Sequence, residues 1–154
     1  MINLLGRVYR KIKTMVFVFF NPIFKECVLY EVPRVYFKSR VKFGKKVHIN
    51  DKVFINAVGG VSIGSYSVLS HGVSIISTMN DIERWASKTE NEDLHINKEI
   101  IIEENVWLCA NSTICAGVTI AKNSVVAAGA VVTNSLLESG CLYGGIPAKK
   151  IRKL

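Results

Sequence analysis

The sequence predicts an all-β fold in which a parallel β-helix is wound from units of six residues. Three observations carry this reading. An aliphatic residue recurs at every sixth position, the recurrence resumes in register after a two-residue insertion, and one long segment abandons it. With 154 residues, 49% of them hydrophobic, the chain can form one compact unit with a real core and is not a disordered tail. It divides into a basic and apolar N-terminal helical cap (1–33), a repeat region (34–145) with a loop excursion at 77–99, and a short basic C-terminal tail (146–154).

The N-terminal segment is cationic. Residues 1–52 hold twelve Lys/Arg against three Asp/Glu, and Lys149, Lys150, Arg152 and Lys153 make the other end basic as well. That balance suits nucleic acid, a membrane surface or a phosphorylated small molecule. No recognised nucleic-acid-binding motif is present, so nucleic acid is set aside. The run MVFVFF at 15–20 precedes Asn21-Pro22 and falls far short of the ~20 apolar residues a membrane-spanning helix needs. Two roles are open to it. As a helix it can close the end of the solenoid and bury its Phe residues there; alternatively it lies on the anionic inner face of a membrane, with Arg7, Arg10, Lys11 and Lys13 beside it. The cap is the expectation. Cys27, Cys109, Cys115 and Cys141 lack CxxC spacing and follow no cleavable signal, which points away from a zinc cage or disulfide framework and toward a reducing cytoplasm.

The repeats define the core. In VKFGKK, VHINDK and VFINAV (41–58) the third place is Phe43, Ile49 and Ile55, and past Gly59-Gly60 it is Ile63, Leu69 and Ile75. In IIIEEN, VWLCAN, STICAG, VTIAKN, SVVAAG and AVVTNS (100–135) it is Ile102, Leu108, Ile114, Ile120, Val126 and Val132. A helix would place apolar residues about every 3.6 positions and an antiparallel strand about every 2. A period of six therefore describes a short strand plus a corner, three of which make a coil. Coils stacked ~4.8 Å apart bury the column as an internal ladder. Small residues, among them Gly64, Ala110, Gly117 and Gly129, are expected where the backbone turns. A sandwich of short strands would instead show turns every ~8–12 residues.

The spans INAVGGVSIGSYSVLS (55–70), IIIEENVWLCANSTICAGVTIAKNSVVAAGAVVTNS (100–135) and GGIPAKKIRKL (144–154) resemble the hexapeptide acyltransferases, particularly the galactoside, maltose and capsule-sugar O-acetyltransferases. With the loop between them they cover about two-thirds of the chain. The resemblance implies a single-stranded left-handed parallel β-helix, although ordinary parallel crossovers are right-handed. It also implies acetyl-CoA as donor, no metal, a sugar hydroxyl of a polysaccharide or lipopolysaccharide precursor as acceptor, and a homotrimer with its sites between neighbours. Serine and nucleotide-amino-sugar acetyltransferases would share the donor site and differ in the loop.

Residues 77–99, STMNDIERWASKTENEDLHINKE, leave the period, and a long insertion on a rigid scaffold is usually functional. By resemblance it reaches an adjacent subunit and walls the acceptor site. Acetyl transfer needs a base for the hydroxyl proton, donors for the developing oxyanion and both substrates held in line. In the family the base is a histidine within Ser-Ser-Asn-His-Asp. Aligned with Ser77-Thr78-Met79-Asn80-Asp81, that pattern puts Asn80 at the histidine's place. An amide cannot take a proton at neutral pH, although it can orient a hydroxyl. His95, with Asp93 to orient it, is then the candidate base, and Asn80 and Asp81 complete the catalytic set. His71 is a second candidate whose place in its hexad also suits a wall residue, and His48 reads as a surface histidine. In a third reading the base is lost and a trimeric scaffold remains. A zinc hydrase of the carbonic anhydrase type would need His48, His71 and His95 to converge, and the first lies more than one coil from the second.

The same resemblance lays the pantetheine arm of acetyl-CoA along the coils between two subunits. Small Ala110 and Ala128 let backbone amides approach it, and Trp107 flanks the thioester end. Lys149 and Arg152, with Lys150 between them, meet the phosphates, and Gly145-Ile146-Pro147-Ala148 turns the chain back toward the cofactor. Asn134 stands where the family often has a lysine. Cys109 and Cys115, six apart, fall on equivalent faces of successive blocks and read as small buried or corner residues.

Overall fold

The computed structural model describes residues 4–154. Its short strands assemble into three parallel sheets, visited in turn by the winding chain as the faces of a triangular prism. The first face stacks Val28–Leu29, His48–Ile49, Val68–Leu69, Trp107–Leu108, Val125–Val126 and Cys141–Gly144. The second stacks Arg34–Tyr36, Phe54–Asn56, Ser74–Ile76, Thr113–Ile114 and Val131–Val132, and the third Val41–Phe43, Val61–Ile63, Ile100–Ile102 and Thr119–Ile120. Strand partners stay in phase across the loop: Ile100↔Val61 and Ile102↔Ile63 pair on the third face although the excursion separates them in sequence.

The third-place column lines the prism as the period predicts. Ile49, Ile55, Leu69, Ile75, Leu108, Ile114, Ile120, Val126 and Val132 are fully buried, with Ile63 and Ile102 nearly so and Phe43 partly. A second buried column stands at the first place of each block: Val41, Val47, Val53, Val61, Val73, Ile100, Val106 and Val118. Ser67, Ser112 and Ser124 occupy that column too, and the short polar side chain fits there because the neighbouring backbone satisfies it. Ser67 Oγ donates to the Glu103 carbonyl at 3.0 Å and accepts from the Val106 amide at 3.1 Å.

The corners have a period of their own. Lys46, Lys52, Tyr66, Gly72, Asn105, Asn111, Gly117, Asn123 and Gly129 all adopt positive φ, and each closes its hexad at the sixth place. Asn tolerates this left-handed region better than other side chains and Gly meets no Cβ penalty. Gly64 is small for another reason: it has no positive φ, but a Cβ there would lie 2.5 Å from backbone atoms of Glu103 and Glu104 in the next coil. Cys109 and Cys115 hold the same place in consecutive hexads but sit at adjacent corners of one coil; among the described residues all four cysteines are free.

The helix α1 (Leu4–Phe20) and the 3₁₀ turn Pro22–Phe24 close the N-terminal end. Phe24 is fully buried, 5.1 Å from the Phe17 and Phe43 rings, and Phe17 and Val18 pack partly against the core. The expectation that the cap buries its Phe residues is corrected here, because Phe19 and Phe20 are 80% and 75% exposed. The side of α1 that meets the prism carries Gly6, Arg10, Thr14, Phe17 and Val18, and the rest of MVFVFF points outward. The first-face strand Val28–Leu29 lies within the segment assigned to the cap. At the other end the basic tail folds back as strand Lys149–Lys153, antiparallel to Cys141–Gly144.

Candidate active site

The excursion springs from the corner between the second and third faces. Its root is closed by the Lys98 amide, which donates to the Ser77 carbonyl at 3.1 Å. Buried Ser77 Oγ donates to the Asn56 carbonyl and accepts from the Gly59 amide at 2.8 Å. A Cβ on Gly59 would meet the Ser77 carbonyl at 2.4 Å, so the inserted Gly59-Gly60 is what lets the coil below pass under the loop root.

Above this root the loop is a hairpin. Strand Thr78–Asn80 pairs antiparallel with strand His95–Asn97, and Asn80 stands directly opposite His95. The residue aligned with the expected histidine and the alternative base are therefore cross-strand neighbours. Asp93 Oδ1 lies 2.6 Å from His95 Nδ1 and also accepts from the His95 amide at 2.9 Å. These bonds hold the Asp93 carboxyl below its ordinary range, the backbone bond contributing most. With Nδ1 engaged, the free Nε2 is the ring nitrogen left to face a substrate. Asp81 plays a structural part, since its carboxylate accepts from the Glu83 and Arg84 amides and caps the single-turn helix α2 (Ile82–Trp85). Arg84 pairs with Glu92, and Lys88 lies 5.5 Å from the Trp85 ring centroid, tying the hairpin's outer arm together.

Between the hairpin and the second face lies a cleft of about 410 Å³ lined by Ile76, Thr78, Met79, Ile82, Cys115, Ala116 and Thr133. Thr78 Oγ1 is buried in it with no hydrogen-bond partner among the described residues. Burial raises the Cys115 thiol above its ordinary pKa, so it stands in the thiol form at neutral pH.

The residues expected to hold the cofactor lie elsewhere. On the first face, Trp107 pairs with Val125, Val125 with Leu142, and Leu142 with Arg152. Cross-strand partners point to the same side, so this is one outward row of indole, two aliphatic side chains and guanidinium. At ~4.8 Å per strand it spans roughly 14 Å. Trp107 is half-exposed, and its Nε1 donates to Ser70 Oγ at 2.9 Å. Ala110 and Ala128 stack at the corner leading to the second face, where the Gly129 amide donates to the Ala110 carbonyl at 2.9 Å. Lys149, Lys150 and Arg152 are exposed on the returning strand. Lys150 Nζ is taken by both Glu138 oxygens at 2.7 Å, whereas Lys149 and Arg152 have no carboxylate partner among the described residues.

The two halves do not meet within one chain, because the corner bearing the hairpin is opposite the first face of the prism. The other histidines are apart as well. His71 Nδ1 lies 2.9 Å from Asp51 at the corner between the first two faces, and His48 lies on the first face, 3.3 Å from the Tyr30 hydroxyl. No group of three or more His, Cys, Asp or Glu among the described residues could hold a metal ion.

Comparison with known proteins agrees with this architecture. Residues 99–134 match the family model "Bacterial transferase hexapeptide (six repeats)". Among solved structures, a hexapeptide-repeat acetyltransferase from Vibrio cholerae O1 biovar eltor, complexed with acetyl coenzyme A, is 29% identical with a TM-score of 0.72 over 83% of this chain and 67% of that one. A maltose O-acetyltransferase from Clostridium difficile 630 is 21% identical, with a TM-score of 0.71 over 96% of this chain and 86% of that one. A galactoside acetyltransferase in complex with coenzyme A is also 21% identical, with a TM-score of 0.69 over 96% and 80%. No curated protein sequence matches the chain. The hexad ladder and the match over residues 99–134 identify a run of bacterial transferase hexapeptide repeats, and the chain shares its fold with these hexapeptide-repeat acetyltransferases.

Proposed function

We propose that the protein transfers an acetyl group from acetyl-CoA to a hydroxyl of a sugar in a polysaccharide or lipopolysaccharide precursor, in a site completed between neighbouring copies of a homotrimer. The observation that carries this reading is the outward row Trp107–Val125–Leu142–Arg152, an apolar path ending in a cation. It suits a long thioester arm with phosphates at its far end, and Lys149 adds a second cation there. The V. cholerae relative, in its complex with acetyl coenzyme A, supports the donor.

The separation of the two half-sites supports the trimer: the hairpin of one copy must lie over the first face of another for a base to reach a thioester. In that arrangement His95 Nε2 takes the proton of the acceptor hydroxyl. The sugar oxygen attacks the thioester carbonyl, the tetrahedral oxyanion collapses, the C–S bond breaks, and the imidazolium returns the proton to the coenzyme A thiolate. Asn80, facing His95, orients the hydroxyl through its amide. Asp93 fixes the ring, and Asp81 acts by holding the hairpin's shape.

Calorimetric titration with coenzyme A should show binding, and galactosides or maltose incubated with acetyl-CoA should gain one acetyl group by mass. Absence of coenzyme A binding at millimolar concentration would overturn the donor assignment. A second reading, a scaffold without turnover, is favoured by Asn80 alone. It requires that Asn80→His create or greatly raise thioester turnover and that His95→Ala change nothing.

A further inference from the structure

We infer that α1 docks the protein onto an anionic phospholipid surface. At 3.6 residues per turn, the outward side chains Leu5, Val8, Ile12, Met15, Val16 and Phe19 fall within one arc about 100° wide. All six are exposed, from 48% at Val8 to 80% at Phe19. The helix cannot roll to bury them. Its opposite side is fixed by the packing of Phe17 and Val18, Lys38 Nζ donates to Asn21 Oδ1 at 2.7 Å, and the Lys13–Glu31 pair at 2.8 Å ties one edge of the arc to the body.

Charge identifies what covers the arc. On the helical wheel Lys11 borders one edge of the arc with Arg7 beyond it, as in a helix lying in a headgroup layer. A cleft of about 220 Å³ beside Lys11 is lined by Arg7, Arg10, Lys11, Thr14, Leu29 and Tyr30. Glu31, held by Lys13 and the Val32 amide, also acts on Arg10, which leaves Arg7 and Lys11 as the cleft's cations without a carboxylate partner among the described residues. Thr14 and Leu29 also line an adjoining apolar cleft of about 410 Å³ that includes Met15, Val18, Phe19 and Cys27. The two clefts share Thr14 and Leu29, so cations stand beside apolar side chains as a phosphodiester headgroup followed by an acyl chain requires. A second copy of the chain would bring Arg7, Arg10 and Lys11 against their own likes, and repulsion disfavours it. No helix among the described residues is long and apolar enough to cross a membrane, so the contact is peripheral.

Sedimentation of the full chain with vesicles tests this. Binding is expected to phosphatidylcholine vesicles containing one-third phosphatidylglycerol, weakened by salt and much weaker on pure phosphatidylcholine. Arg7→Glu with Lys11→Glu should lower the partition coefficient at least about fivefold per cation removed. Phe19→Asp should lower it by more than about tenfold. Circular dichroism and an unchanged melting temperature identify variants that remain folded, independently of whether the acetyl-transfer reading holds. Failure to sediment with phosphatidylglycerol vesicles overturns the proposal. So does binding that ignores vesicle charge, or a change in oligomer size with Phe19→Asp in a protein that binds no vesicles, which would assign the arc to another copy.

Discussion

If His95 is the base, its removal is the most informative single perturbation, and the structure sets how far its neighbours matter. Replacing a general base costs about 10²–10⁴-fold in rate, so His95→Ala should lower kcat/KM by that range while coenzyme A binding persists. Asp93 contributes less despite its 2.6 Å contact. The His95 and Asp93 side chains are 63% and 80% exposed, and water screens a pair so open. Asp93→Asn should therefore cost only about two- to fivefold, by loosening the ring rather than removing the proton acceptor. Because Asp93 acts through His95, the double variant should fall no further than His95→Ala alone. Thiol release from acetyl-CoA in the presence of acceptor sugar measures all three. Turnover by His95→Ala within about threefold of the parent would refute the assignment, since no general base contributes so little.

Three further outcomes follow from the scaffold. Leu108→Ala, in the fully buried column between Leu69 and Val126, should cost about 3–5 kcal/mol in chemical denaturation, and a loss below about 1 kcal/mol would contradict a close-packed ladder. Gly64→Ala should cost about 1–3 kcal/mol although its φ is ordinary, because the new Cβ meets the Glu103–Glu104 backbone; an unchanged melting temperature would contradict that close approach. Hydrogen bonding to Lys150 lowers the Glu138 pKa and that to Glu138 raises the Lys150 pKa, so the pair's contribution exists between the ordinary carboxylate and lysine ranges. It is lost as pH falls through the depressed Glu138 value or rises through the raised Lys150 value. Amide exchange across 149–153, corrected for intrinsic rates, should lose protection at the acid end, and Glu138→Gln should abolish that dependence.

The ladder was legible because burial inside a narrow prism admits little but aliphatic side chains at the third place, so chemistry and position coincide. The first-place column was harder to see, since Ser67, Ser112 and Ser124 break its hydrophobicity and are tolerated because nearby backbone groups satisfy them, in the next coil for Ser67 and at the preceding corner for Ser112 and Ser124. The left-handed corners were half-visible. Asn105, Asn111, Gly117, Asn123 and Gly129 spell out the sixth place, whereas Lys46, Lys52 and Tyr66 adopt the same φ with no compositional signal. Composition marked the N-terminal helix, but apolar periodicity alone did not reveal which side meets the prism. The apolar side of α1 faces out, and the helix is held by Thr14, Phe17 and Val18. In the loop, alignment puts Asn80 at the histidine position and singles out His95, and strand pairing sets them face to face. Asp81 reads as catalytic in the sequence because it borders Asn80, but an Asp two residues before Glu83 is also an N-cap signal, and that is the work its carboxylate performs. The pairing of Lys150 with Glu138 depends on the returning strand and could not be read from spacing.

The proposed division of the site between two chains can be tested by mixing subunits. Chains carrying His95→Ala keep an intact first face, and chains carrying Lys149→Ala with Arg152→Ala keep an intact hairpin. Each homogeneous protein should be nearly inactive. Co-assembled at equal amounts, they should regain about one quarter of the parent activity, the share of interfaces that join an intact hairpin to an intact first face under random mixing. Verified mixed trimers that stay as inactive as either parent would show that hairpin and cofactor row do not work together across a subunit boundary.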